Sequence, residues 1–298
     1  MQSDTEELGR GTVTMLSVCI VNWNTRDYLR ECLASLCASV SDNLEIEVIV
    51  VDNASEDGSA AMVTTEFPQV LLIANSENRG YAEGNNQALR LARGAYLLLL
   101  NPDVVVQPDS LAHALRFMQT HPDAGAMGCR LIGAEGETQR SVRGFPEPSP
   151  ILWEFLGLSR LFPNSRTFGA YRMTYFQYNQ PALVDQPMGS FLLITRAALE
   201  KVGLLDTQFP IFFNEVDWCL RAKQEHGFAI YYTPDVVVTH YGGGSTRQRK
   251  ARMIIESHRS LLKFYDKHYA KTIAPALSWL IRRAVLLDEW RQLWPLRI

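Results

Sequence analysis

The stretch YLLLLNPD, residues 96–103, decides the fold of this chain. Its unbroken apolar run predicts a strand that is buried on both faces, and proline cannot continue a central strand. The first side chains beyond the strand are therefore the amide of Asn101 and the carboxylate of Asp103. Ligands of open α/β sheets bind at this end of the strands, and oxygen ligands suit a hard divalent cation. Asn, Pro and Asp are also common in ordinary turns, so the tripeptide alone leaves both interpretations open.

Strands and helices alternate on either side of this stretch. Strands are predicted at 16–21, 45–51, 70–74 and 124–129, and helices at 25–37, 59–66, 80–93 and 110–120. This order predicts an α/β fold, a doubly wound and mostly parallel sheet flanked by helices. The pattern loosens between 130 and 187. It then resumes with strands at 188–194, 228–232 and 236–239, helices at 196–202 and 214–225, and a helical C-terminal extension.

The overall composition excludes some classes of protein. The 298 residues carry a net charge of -3, which gives no argument for a nucleic-acid partner. The five cysteines form no CxxC pair and lie in apolar runs, so we expect reduced thiols in a cytoplasmic protein. We expect neither a signal peptide nor a membrane-spanning segment.

Polar residues follow three of the predicted strands, at Asn22, at Asp52-Asn53 and at Asn101. Because the carboxyl ends of parallel strands meet at one edge of a sheet, these side chains are expected to share a pocket. Asp52 could accept hydrogen bonds from a base or a ribose. It could equally be a turn residue or the cap of the next helix.

The segment NRGYAEGNN, residues 78–86, is a second candidate ligand site. Gly80 and Gly84 lie four residues apart at the start of a predicted helix and permit close approach to the backbone. Arg79 could neutralise a phosphate at the positive end of that helix. The segment is neither a P-loop nor a GxGxxG motif.

These motifs, in this order, resemble family 2 glycosyltransferases and are most similar to the rhamnosyltransferase-like branch. The resemblance covers roughly residues 16–269. It is carried by VCIVNWN (18–24), VVDNASEDGS (50–59), NRGYAEGNN (78–86), LNPDV (100–104), MGSFLL (188–193), FFNEVDWCLR (212–221) and HYGGGS (240–245).

The resemblance implies a GT-A fold, a nucleotide-diphosphosugar donor, a divalent cation (Mg²⁺ or Mn²⁺) and inversion at the anomeric carbon. By position, Asp52 would read a pyrimidine base. The other residues implied to bind the donor are Asn22, Asn24, Asn53, Arg79, Gly80, Asn85, Asn101 and Asp103.

The implied metal ligands are Asn101, Asp103 and His240. Asn101 stands where the family has the first aspartate of its metal motif, which removes one negative charge from the site. An amide oxygen can still ligate Mg²⁺ or Mn²⁺. His240 is either a turn histidine or a third ligand. The glycines that follow it would then form a hinge for a basic loop that closes over the diphosphate.

Two acidic residues are candidates for the catalytic base. Glu215 and Asp217 would point about 200° apart on a helix, so both cannot face one cleft. Asp217 could stabilise the helix start or pair with Arg221. Glu215 also holds the position of the family's catalytic aspartate, so we favour it as the base, with Asp217 as the alternative.

These features predict a flexible N-terminus (1–14), a GT-A catalytic domain (15–245) and a basic loop with C-terminal helices (246–298). The catalytic domain divides into a nucleotide-binding half (15–130) and an acceptor-side half (131–245). Tryptophans and arginines alternate near the C-terminus, which is typical of a helix on an anionic membrane, although such a helix could also pack on the domain or form a homodimer contact.

We therefore expect an inverting, metal-dependent glycosyltransferase in the cytoplasm, either free or peripheral at the inner face of the membrane. Its donor would be dTDP-rhamnose or a UDP-hexose, and its acceptor a cell-surface glycan or a lipid-linked saccharide. The alternative is a non-catalytic carbohydrate-binding or scaffold protein on a degenerate transferase fold.

Overall fold

The computed structural model describes residues 14–40, 44–244 and 246–296, so residues 1–13 of the predicted flexible N-terminus lie outside it. The strands are β1 (Thr14–Asn22), β2 (Leu44–Asp52), β3 (Leu71–Ala74), β4 (Tyr96–Leu100), β5 (Val104–Val106), β6 (Ala124–Ile132), β7 (Val142–Arg143), β8 (Ala182–Leu183), β9 (Gln186–Pro187), β10 (Phe191–Thr195) and β11 (Ala229–His240). The α-helices are α1 (Arg26–Ala38), α2 (Ser59–Glu66), α3 (Tyr81–Leu91), α4 (Ser110–Thr120), α5 (Pro148–Phe155), α6 (Leu158–Leu161), α7 (Arg196–Val202), α8 (Asn214–Leu220), α9 (Lys250–His268) and α10 (Pro275–Leu293).

A nine-stranded sheet organises the described part of the chain. Its strand order is β3-β2-β1-β4-β10-β6-β11-β5, and β8 adds to β11. The first four strands run parallel, whereas β10 is antiparallel to both of its neighbours. The predicted α/β architecture with helices on both faces is confirmed.

The leucine run of β4 lies at the centre of this sheet. Leu97 and Leu99 belong to the core on one face, and Leu98 and Leu100 to the core on the other. None of the four is more than 1% exposed. The predicted burial on both faces is therefore confirmed, and the strand ends against Asn101 as the proline requires.

Three features beyond β4 differ from the sequence-based expectation. The two predicted short strands are one strand, β11, with a register shift between Thr233 and Val237. Helix α5 lies in the stretch that was expected to be irregular. Strand β5 was not expected, and its pairing of Val104 with His240 brings that histidine beside the residues that follow β4.

The C-terminal helices pack on the rest of the described fold. Helix α10 contacts α9 and α5 and buries Ile281 and Val285. Tyr265 of α9 donates a hydrogen bond to the carbonyl of Pro146 at 2.8 Å. In the ranges that the structure describes, no helix is long and apolar enough to cross a membrane.

Candidate active site

The carboxyl ends of the parallel strands converge as predicted. Asn22 pairs with Asp52 across β1 and β2, and Ile20 pairs with Leu100 across β1 and β4. A cleft of about 1950 Å³ lies over this edge. The predicted site residues that line it are Asn53, Arg79, Gly80, Asn101, Asp103, Glu215 and His240.

Other predicted site residues do not line the cleft. They form hydrogen bonds that connect the strand ends beneath it. Both carboxylate oxygens of Asp52 accept hydrogen bonds from the protein, Oδ1 from the Asn22 amide and Oδ2 from the Ser55 N–H, each at 2.9 Å. Asn24 adopts a φ of 51° and accepts a hydrogen bond from the Glu56 N–H. Each carboxylate oxygen can accept a second bond, so Asp52 keeps capacity for a ligand.

The two glycines of the second candidate segment are packed closely against other parts of the protein. They therefore do not open a space for a phosphate. A Cβ on Gly80 would lie 2.9 Å from the carbonyl oxygen of Pro210, and one on Gly84 would lie 2.8 Å from Val21. The Pro210 carbonyl also accepts hydrogen bonds from the first two N–H groups of α3. This leaves the exposed side chain of Arg79 as the cation that the segment presents to the cleft. Asn85 lies one turn into α3, with its amide oxygen buried and unpartnered.

Asp103 and His240 form an incomplete ligand set. His240 Nε2 lies 3.5 Å from Asp103 Oδ1, which is buried and has no hydrogen-bond partner. Burial opposes ionisation of Asp103, but His240 and the Gly244 N–H hold its pKa below the usual value. Asn101 lies alongside, with its amide 3.4 Å from Ser190 Oγ. An orphaned carboxylate oxygen, an imidazole and an amide suit Mg²⁺ or Mn²⁺.

The set supplies few charged ligands. No group of three or more His, Cys, Asp or Glu side chains that could hold a metal occurs in the described ranges. A cation here would need further oxygen ligands, and the phosphates of a donor are suitable.

Gln139 fixes the orientation of the His240 ring. Its amide nitrogen donates to the His240 carbonyl oxygen at 2.8 Å, so its oxygen must face His240 Nδ1, also at 2.8 Å. Nδ1 therefore donates to Gln139, and Nε2, which lies 3.2 Å from Ser190 Oγ, is the atom that faces Asp103 and a metal beside it. Sequence reasoning missed Gln139, because it is distant in sequence and belongs to no motif.

Glu215 lies in the wall of the cleft on the first turn of α8. A Cβ on Gly189 would lie at van der Waals distance from Glu215 Cγ, 3.4 Å, so the Glu215 side chain lies close to the Gly189 backbone. Burial raises the pKa of Glu215, while its own N–H and the charge of Arg143 oppose the rise. A carboxyl held in this way is suited to accept a proton.

Asp217 has a different environment on the other face of α8. It is completely buried and contacts Arg221, Lys267 and His268. Burial opposes its ionisation, but these partners hold the pKa of Asp217 below the usual value. The expected pairing with Arg221 is present, and the structure does not bring Asp217 to the cleft with Glu215.

Two aromatic residues of the cleft were not predicted. Tyr81 donates to the Gly189 carbonyl at 3.1 Å, and burial followed by the charge of Glu215, with a smaller contribution from Asp103, raises the pKa of its hydroxyl. It therefore lies within electrostatic range of both acids. Trp23 carries the Arg249 guanidinium 4.9 Å from its ring centroid. Trp23 lies between Asn22 and Asn24 at the end of β1. This position could have identified it from the sequence.

The chain has a GT-A fold, which it shares with two solved structures. The mannosyltransferase PcManGT from Pyrobaculum calidifontis, solved with GDP-Man and Mn²⁺, is similar with a TM-score of 0.57 at 21% identity, over 92% of this chain and 69% of that one. TarS 1-349 from S. aureus has a TM-score of 0.55 at 17% identity, over 93% of this chain and 72% of that one.

The chain belongs to glycosyl transferase family 2, whose model matches residues 17–183. An N-acetylglucosaminyl-diphospho-decaprenol L-rhamnosyltransferase of Mycobacterium tuberculosis is 27% identical over 92% of this chain and 91% of its own length. The rhamnosyltransferase WbbL of Escherichia coli is 23% identical over 92% and 96%. Membership and relatives together support sugar transfer to a glycan or a lipid-linked acceptor.

Proposed function

We propose that this protein is an inverting glycosyltransferase that uses a nucleotide-diphosphosugar donor. The observation that carries the proposal is the cleft over the strand ends, where the half-buried carboxyl of Glu215 and the orphaned oxygen of Asp103 share one space. The donor is dTDP-rhamnose, as the rhamnosyltransferase relatives suggest, or a UDP-hexose. The acceptor is a cell-surface glycan or a lipid-linked saccharide.

Glu215 acts as the general base. An acceptor hydroxyl attacks the anomeric carbon, the bond from that carbon to the diphosphate oxygen breaks, and the hydroxyl proton passes to the Glu215 carboxylate. One displacement inverts the anomeric configuration and needs no covalent intermediate. Arg79 and Arg249 lie in the cleft lining and can neutralise the departing diphosphate.

Asn101, Asp103 and His240 would hold a divalent cation, Mg²⁺ or Mn²⁺. When bound, such a cation neutralises phosphate charge as a Lewis acid. Asn53, Trp23 and Ala54 line the adjoining part of the cleft and would form the nucleotide pocket over Asp52.

We also propose that the protein works in the cytoplasm, against the inner face of the membrane. Trp279, Trp290 and Trp294 of the C-terminal region are all more than half exposed, and Arg283 lies 5.5 Å from the Trp279 ring centroid. Aromatic and cationic side chains on one helix suit an anionic lipid surface, and vesicle co-sedimentation tests this contact.

Thermal unfolding with nucleotides tests the donor site. Because ligand binding stabilises the native state, by about 2.7 kcal/mol at 100 times the dissociation constant, dTDP or UDP with Mn²⁺ should raise the melting temperature. Asp103→Ala should abolish the Mn²⁺-dependent part of the rise. If no nucleotide diphosphate stabilises the wild type, the degenerate scaffold becomes the better interpretation.

A further inference from the structure

Ser190 lies beside Asn101, the amide among the implied metal ligands. Strand β10 runs antiparallel to β4, and Phe191 pairs with Leu100. The next residues along the two strands, Ser190 and Asn101, therefore lie side by side, and the Asn101 N–H donates to the Ser190 carbonyl oxygen at 3.0 Å. Ser190 is 4% exposed and lines the cleft together with Asn101. It belongs to the site, although the proposed function gives it no role.

An asparagine at a metal site must be held the right way round. The two oxygens of an aspartate are equivalent, so either of them can ligate a cation. An amide has one oxygen, which can ligate Mg²⁺ or Mn²⁺, and one nitrogen, whose two hydrogens make it a donor only. Asn101 can therefore serve a cation only when its Oδ1, and not its Nδ2, faces the cation.

The hydrogen bonds of His240 determine which end of the amide faces Ser190. His240 Nδ1 donates to Gln139, so in the neutral imidazole Nε2 can only accept. The Ser190 hydroxyl lies 3.2 Å from Nε2 and donates its single hydrogen there. Its oxygen then accepts from Asn101, 3.4 Å away, and the atom that donates must be Nδ2. Asn101 Oδ1 consequently points away from Ser190 and stays available to a cation.

A cation beside His240 Nε2 is compatible with this arrangement. A hydroxyl turns about its C–O bond, so the Ser190 hydrogen can leave Nε2 when a metal takes that position. The Ser190 oxygen still accepts from Asn101 Nδ2, whichever way its hydrogen points. Ser190 thus acts on the ligand set without having to ligate the metal.

We propose that Ser190 is a positioning residue that turns the Asn101 oxygen toward the donor-bound cation. The contact compensates for the asparagine that stands where the family has an aspartate. This inference rests on the proposed function, because it requires a cation at Asn101, Asp103 and His240. Ser190 is then needed only as long as position 101 is occupied by an amide.

A double-mutant cycle on the full chain tests this dependence. Electron paramagnetic resonance of free Mn²⁺ measures the affinity for the metal with saturating UDP or dTDP at pH 8, where imidazole is neutral. Ser190→Ala should weaken Mn²⁺ binding at least tenfold, because losing the partner behind a metal ligand costs about 10–100-fold. In the Asn101→Asp background, Ser190→Ala should change the affinity less than twofold, because a carboxylate presents an oxygen at either end.

Ser141→Ala is the matched control. Ser141 is a second buried serine of the cleft lining, 3% exposed, and its hydroxyl lies 3.5 Å from the Cys129 carbonyl oxygen rather than beside an implied metal ligand. Its loss should change the Mn²⁺ affinity less than twofold. Thermal unfolding without ligand should show that each variant is folded, so that the affinity reports the site.

Two results would overturn the proposal. One is an unchanged affinity in Ser190→Ala. The other is an equal loss in the wild-type and Asn101→Asp backgrounds, which would make Ser190 a ligand or a packing residue. Both leave the donor site standing, since wild-type protein would still bind Mn²⁺ with nucleotide. If wild-type protein binds nucleotide but no Mn²⁺, the metal assignment itself fails, and the role of Ser190 fails with it.

Discussion

The two halves of the cleft are built on different principles. In the donor half, the side chains at the strand ends bind one another, as Asn22, Asp52 and Ser55 do. In the half that we propose to bind the acceptor (the acceptor half), the lining comes from α5, α10 and β7 and mixes leucines with charged residues such as Arg143, Glu154 and Asp288. The donor half is thus preorganised by its own hydrogen bonds. The acceptor half presents apolar surface and charge to a ligand.

Because of this difference, substitutions in the two halves should affect separate quantities, ligand affinity and the rate of sugar transfer. A change in the polar network of the donor half should lower the affinity for nucleotide or metal. A change in the acceptor half should lower transfer and leave nucleotide affinity intact. Helix α8 shows this distinction most clearly. Its Glu215 faces the cleft, whereas its Asp217 lies in a buried ion-pair cluster.

Glu215→Gln should have the largest effect. Loss of a general base costs about 10²–10⁴ in rate, while nucleotide affinity should stay unchanged. Because burial raises the pKa of Glu215, wild-type transfer should fall on the acid side at a higher pH than the usual glutamate value of about 4.3 predicts. Initial rates of sugar release from the donor, measured with Mn²⁺ across the pH range, give both quantities.

Glu83→Gln, which changes a partly exposed acid of α3 that pairs with Arg90, is a suitable control and should retain the wild-type rate. A Glu215→Gln protein that turns over donor as fast as wild type would exclude Glu215 as the base.

The sequence was sufficient for the donor half and insufficient for the acceptor half. Strand periodicity placed Asn22, Asp52 and Asn101 at one edge, because register in parallel strands is local and regular. Gln139 could not be found, since its role depends on the pairing of β6 with β11 and on the turn that returns Thr138 to Ile132, which no local pattern encodes. Helix α5 was missed because its prolines suggested a loop, whereas proline is tolerated in the first turn of a helix.

Asp217→Asn should lower stability rather than remove a proton acceptor. Removing one charge from a buried ion-pair cluster costs about 3–5 kcal/mol, here by leaving Arg221 without its carboxylate and Lys267 with Asp206 alone. The folded pKa of Asp217 is lowered, so its contribution is full above pH about 4 and disappears as the pH falls below that. Urea unfolding at pH 7 and at pH 3 measures the difference.

Asp206→Asn is the matched control, because Asp206 also contacts Lys267 but is partly exposed, and it should cost much less. If Asp217→Asn unfolds like the wild type and yet abolishes transfer, Asp217 has the catalytic role and the division between the two faces of α8 is wrong.

Gln139→Leu should weaken Mn²⁺ binding in the presence of UDP or dTDP by about 10–100-fold, the usual cost of losing a partner behind a metal ligand. The cause is that His240 Nδ1 loses its acceptor and the ring is free to turn. Electron paramagnetic resonance of free Mn²⁺ measures the affinity without any turnover. Gln107→Leu removes a hydrogen bond to Thr239, the neighbour of His240 on β11, and should leave the Mn²⁺ affinity unchanged. Equal losses in both variants would mean that strand packing, and not the His240 ring, sets the affinity.

Trp290→Glu should have the smallest effect, a few-fold loss of co-sedimentation with anionic vesicles. Its ring is 52% exposed and lies 5.0 Å from the Trp294 ring, so the substitution removes surface area without opening the core. Leu183→Glu, 63% exposed on β8, should leave vesicle binding unchanged. A Trp290→Glu protein that binds vesicles normally but changes from dimer to monomer would identify this face as a contact between two copies.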